Sequence, residues 1–135
     1  MGEWDDRDVG TPRPSFRRRL LIEALRVVAA PARVQTEWLE EHGVVTDEIA
    51  LGFDDALRLA DRLVEEGFLH RDSLPELRLI DSIFHEMSGD DSTDRWTTAA
   101  LSTDAGWGRA RTLARQALAR EGANASPLPH ICVVR

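Results

Sequence analysis

The chain has 135 residues, 42% of them hydrophobic and 30% charged, which suits one globular domain with a modest core and excludes disorder throughout. A single cysteine, Cys132, excludes an intrachain disulfide and a cysteine-based metal cluster. The net charge of −7 is unevenly placed: residues 37–94 carry seventeen acids against four arginines, while residues 1–36 and 95–135 are net basic. An acidic middle repels phosphate backbones, so nucleic-acid binding is disfavoured and a basic protein partner is favoured.

Residues 1–15 read as a flexible lead, because Gly2, Gly10, Pro12 and Pro14 interrupt regular structure. Met1 to Asp8 is polar and acidic, with no apolar signal core, and Leu20 to Ala30 is broken by Glu23 and Arg26 and too short to span a bilayer. The expected location is the cytoplasm.

A first helix is predicted from Ser15, as N-cap, to Ala30, with Leu20, Ala24 and Val27 at helical spacing. Arg17, Arg18 and Arg19 crowd its first turn, the unfavourable end for positive charge, so they are expected to meet an acidic neighbour. Pro31 stops this helix and opens a second, which carries Trp38 and Leu39 and ends at Gly43.

Thr46 or Asp47 caps a third helix, predicted to run unbroken to Gly67. Ile49, Phe53, Ala56, Ala60 and Leu63 form its apolar face, Asp54, Asp55, Arg58, Asp61 and Glu65 the other. Gly52 inside it is a weak point that costs about 1 kcal/mol relative to alanine and marks a kink or a close helix crossing. Phe68 is placed to pack where this helix stops.

Ser73-Leu74-Pro75-Glu76 is a capping box opening a fourth helix that ends at Gly89. A short helix with Trp96 and Ala100 is expected next. Ser102, Thr103 and Asp104 then cap a last helix to Glu121, with Trp107, Ala110, Ala114, Ala117 and Leu118 as its stripe. Trp96 and Trp107 sit in polar surroundings where full burial is hard to secure. Residues 123–135 read as a tail, with Ile131 to Val134 able to add a short edge strand. The organisation expected is an all-α single domain of five to six helices over residues 16–122, between flexible ends.

Four histidines, His42, His70, His85 and His130, lack a strong metal spacing; Asp81 and His85 stand four apart on one helix and read as a solvated pair. The doubled carboxylates Asp54-Asp55 and Asp90-Asp91 sit on an exposed face and in a loop, where ionised carboxylates need no perturbed pKa. There is no Gly-x-Ser-x-Gly elbow and no phosphate-binding loop. No catalytic residue, cofactor or metal is expected.

Two stretches carry resemblances. Ala56-Leu57-Arg58-Leu59-Ala60-Asp61-Arg62-Leu63-Val64-Glu65-Glu66-Gly67-Phe68-Leu69-His70-Arg71 resembles the recognition helix and wing entry of MarR-like winged-helix regulators. That resemblance implies a reading helix followed by a two-stranded wing. Over residues 16–121 the order of features, including Trp38-Leu39-Glu40-Glu41-His42-Gly43, Asp47 to Asp55 and Trp107-Gly108-Arg109-Ala110-Arg111, is similar to small uncharacterised helical proteins of actinobacteria. Size, acidity and helical make-up are also like those of immunity proteins, which neutralise a toxin by binding it.

The function expected is therefore non-enzymatic protein binding, of an immunity or accessory type, with a basic partner held on the acidic face of the third and fourth helices. The residues singled out for it are Asp47, Glu48, Asp54, Asp55, Asp61, Asp91 and Trp96. A homodimer fits the same composition. The alternatives are a degenerate winged-helix regulator that uses its arginines on phosphate, and a small metal-dependent enzyme built around His85.

Overall fold

In the computed structural model, which describes residues 13–124 and 127–129, the chain forms seven helices, and no strand occurs among these residues. They are α1 (Pro14–Ala29), α2 (Ala32–His42), α3 (Asp47–Leu57), α4 (Ala60–Glu65), α5 (Ser73–Ser88), α6 (Ala100–Thr103) and α7 (Ala105–Arg120). The main packing runs from α5 to α7, from α7 to α1 and from α1 to α3. No helix among the described residues is long and apolar enough to cross a membrane.

Leu21, Leu25 and Val28 of α1, at i, i+4 and i+7, are fully buried between α3 and α7. On α7 the buried stripe is Trp107, Ala110, Ala114, Ala117 and Leu118; its three alanines let neighbouring helices approach closely. Burying each of the large side chains contributes about 1.5–3 kcal/mol. Phe84 of α5 anchors an aromatic cluster, with ring centroids 6.0 Å from Phe53, 5.9 Å from Trp96 and 5.2 Å from Trp107.

The end of α1 is held in an unusual way. The last four carbonyls of a helix lack intrahelical partners, and Pro31 forces Ala30 into an extended conformation that ends the helix. The fully buried Gln35 of α2 donates through Nε2 to Val27 O (2.9 Å) and Val28 O (3.1 Å). Arg115 donates to Ala29 O (2.9 Å), and Arg111 to Ala30 O (2.8 Å), Gln35 Oε1 (2.9 Å) and Leu101 O (2.9 Å). Two cations at the negative end of α1 also complement its dipole. Burial first, and then the charge of Arg115, pulls the Arg111 guanidinium below its ordinary pKa.

A second hub orders the segment between α5 and α6. Asp104 is the N-cap of α7, its carboxylate accepting from Gly106 N (2.7 Å). It also accepts a two-pronged pair from Arg95 (2.7 and 3.0 Å), while the Trp107 indole donates to Arg95 O (3.0 Å). The Arg95 hydrogen bond holds the Asp104 carboxyl below the usual carboxylate range.

Several sequence expectations are corrected. Seven helices replace five to six because the stretch from Asp47 to Gly67 divides at Arg58–Leu59, not at Gly52; Leu59 N turns inward to Ala56 O (3.0 Å), and α3 and α4 then pack separately on α1. Helix α1 starts at Pro14, with Arg13 and not Ser15 as N-cap, so the ordered body begins before residue 16. The capping box does not form. Asp72 is the N-cap of α5, Ser73 is buried and donates to Glu121 Oε2 (2.6 Å), and Glu76 pairs with Arg120. Trp96 lies in a turn outside any helix, since only Ala100–Thr103 becomes helical there. Phe68 is exposed, and Leu69 is the residue that buries after Gly67.

Trp107 is fully buried, contrary to the reading of its polar flanks, because its N–H finds Arg95 O. The expected acidic neighbours are present for two of the three first-turn arginines: Arg17 reaches Glu66 at 2.6 Å and Arg18 lies 3.5 Å from Glu121, while Arg19 lies over the Phe16 ring at 5.3 Å. In the expected tail, Asn124 O accepts from Arg26 (2.8 Å) and Pro129 O from Trp38 (2.8 Å). The readings for His130, Cys132 and the edge strand at 131–134 lie outside the described residues.

Candidate functional site

Between α1 and α3 lies an open apolar groove of about 340 Å³. Leu20, Glu23, Ala24 and Val27 of α1 form one wall, an i, i+3, i+4, i+7 stripe. Ile49, Gly52, Phe53 and Ala56 of α3 form the floor and the other wall. Space survives because Ala24 and Gly52 are small, and a Cβ placed at Gly52 meets nothing within 4 Å. Trp38 and Pro129, joined by the indole hydrogen bond, also line it.

Three carboxylates line this apolar surface: Glu23 from α1, and Glu48 and Asp55 from α3. None of the three has an ion-pair partner among the described residues. Asp47 and Glu48 also occupy the first turn of α3, where each stabilises the helix by about 0.3–1 kcal/mol through its dipole. That local use does not extend to Asp55, two turns further on.

The structure divides the residues singled out from the sequence. Glu48 and Asp55 meet at the groove, with Asp47 exposed beside them. Asp54 is paired with Arg58 (3.0 Å) and Asp61 with Arg78 (2.8 Å), so neither presents an uncompensated charge. Asp91 is exposed in the segment between α5 and α6, away from the groove lining. Trp96 is half-buried against Phe84 and Trp107 and lines a separate polar hollow with Thr36, Thr97 and Thr98. Sequence reading missed Glu23, Ala24 and Pro129 as groove residues. Glu23 had a visible signal, as the acid that interrupts the most apolar stretch of the chain.

The candidates for other chemistry stand elsewhere. Asp81 and His85 lie 3.4 Å apart on the exposed side of α5, and the Asp81 carbonyl, then its carboxylate, raises the His85 pKa above the ordinary histidine value. Among the described residues no three His, Cys, Asp or Glu side chains gather as metal ligands. The stretch Ala56 to Arg71 folds as the end of α3, the six-residue α4 and turns, and α5 begins at Ser73, where the resemblance implied a wing. Apolar walls beside uncompensated carboxylates suit non-covalent capture of an apolar group that carries a nearby cation. Comparison with family models, with curated proteins and with solved structures gives no match to this chain.

Proposed function

We propose that this chain is a non-enzymatic protein-binding module, of an immunity or accessory type, that engages a basic partner through the acidic face of α3. The observation that carries the reading is the contrast within one helix. Asp54 is neutralised by Arg58, whereas Glu48 and Asp55, facing Glu23 across an apolar surface, have no ion-pair partner among the described residues. Burying apolar surface supplies the driving force for association, and complementary charge at its edge supplies on-rate and selectivity.

The test is affinity capture from a lysate of the source organism, read by mass spectrometry, with wild type, Glu48→Arg/Asp55→Arg and Asp61→Asn as baits. The expected result is a basic protein retained by wild type and by Asp61→Asn and lost by the double variant. Equal recovery by all three baits would remove the acidic face of α3 from the reading.

A further inference from the structure

We infer that the α1–α3 groove is the anchoring pocket for that partner, and that it takes a helical segment with the pattern basic-x-x-apolar-apolar-x-x-basic. This rests on the acidic-face reading above and adds the chemistry of the occupant. The size comes first. A cavity of about 150 Å³ holds a benzene ring, so about 340 Å³ admits two branched aliphatic side chains. Side chains at i+3 and i+4 of a helix point to one face, which is how an amphipathic helix inserts adjacent anchors into an apolar groove.

The spacing of charge comes second. Glu48 and Asp55 are seven residues apart on α3, which at 1.5 Å per residue is about 10 Å along the axis. Basic residues at i and i+7 of a partner helix span the same length and flank the apolar pair at i+3 and i+4. Glu23 on the opposite wall faces the same cations. Gly52 stands between Glu48 and Asp55, and its open space is where the apolar pair enters. The Trp38 indole N–H is already engaged by Pro129 O. No strand edge among the described residues offers an extended peptide a ladder to join, which favours a helical occupant over an extended one.

The probe is a synthetic, end-capped, alanine-based helix containing Lys-Ala-Ala-Leu-Leu-Ala-Ala-Lys, compared with the same peptide carrying Glu for Lys. Binding to the full chain is followed by amide and methyl NMR shifts at Ala24, Ile49 and Gly52. The expected result is saturable shifts at these residues with the Lys peptide and none with the Glu peptide. Gly52→Leu, whose Cβ meets no neighbour within 4 Å and whose branched end occupies the groove, and Glu48→Gln/Asp55→Asn each weaken the Lys peptide about tenfold or more.

Equal affinity for wild type and Gly52→Leu, with loss only in the charge variant, would overturn the pocket while leaving the acidic face standing. Partner capture that fails with Glu48→Arg/Asp55→Arg, from a chain that ignores the Lys peptide, would do the same. Groove resonances that ignore the peptide but move on Ile131→Asp/Val133→Asp substitution would assign the groove to residues 130–135 of this chain and overturn the proposal.

Discussion

Three of the four arginines of α7 and the acids of α3 are both dense charge on amphipathic helices, and the fold treats them in opposite ways. Arg111, Arg115 and Arg120 are each committed to a named acceptor on another element: carbonyls of α1, the amide of Gln35, the carboxylate of Glu76. On α3, Asp54 has only Arg58, the residue that follows the helix, and Glu48 and Asp55 have no cation among the described residues. The difference teaches that charge density by itself does not mark a binding face. What marks it is charge the fold leaves uncompensated next to apolar surface.

The largest expected effect tests the α7 side. Arg111→Ala removes three hydrogen bonds and leaves Ala30 O and Gln35 Oε1 without that donor in partly buried positions. A loss of about 3 kcal/mol follows, roughly a 10 °C fall in Tm by thermal unfolding, because unsatisfied buried groups carry most of the penalty. A change under about 0.5 kcal/mol would break the contrast drawn here.

A middle-sized effect concerns Asp104. Its folded pKa is lowered, chiefly by Arg95, so its contribution to stability is fully present above the ordinary carboxylate pKa of about 4 and is lost as pH falls through the lowered folded value. Tm measured against pH should show Asp104→Asn less stable than wild type at pH 7, with the gap closing below about pH 4. A gap that persists into acid would mean the side chain acts through something other than its charge.

The smallest effect sharpens the α3 side. Glu48→Gln/Asp55→Asn should change stability by less than about 1 kcal/mol, since only the dipole contribution at Glu48 is lost. A denaturant midpoint that drops well beyond this would show the two acids to be part of the scaffold and not of a recognition surface.

Much of the fold was legible because it follows from periodicity. The stripes of α1, α5 and α7 are read from spacing, and the ends of α1, α2 and α4 from Pro31, which disfavours a helical residue before it, and from Gly43 and Gly67, which take the left-handed turn after a helix. What was not legible depends on partners distant in sequence. Ser73 and Glu76 match a local capping box, yet Glu121 and Arg120, more than forty residues away, take both side chains. The break at Arg58–Leu59 occurs between good helix formers, where no local signal marks it. Of the acids on α3 and α4, sequence separated none from its neighbours. Pairing with Arg58 or Arg78, or its absence, appears only once the helices are placed.

The hold on the end of α1 has a consequence for how this surface can change. Gln35, Arg111 and Arg115 grip backbone oxygens, which every residue type provides, and so this hold on the end of α1 does not depend on which side chains stand at 20, 23 or 24. Those three positions, with 48, 52 and 55 on the facing helix, line the groove without supplying any of the side chains that grip the end of α1. A lineage, or a selection experiment confined to these six codons, can retarget the groove to a new ligand while inheriting the same scaffold unaltered.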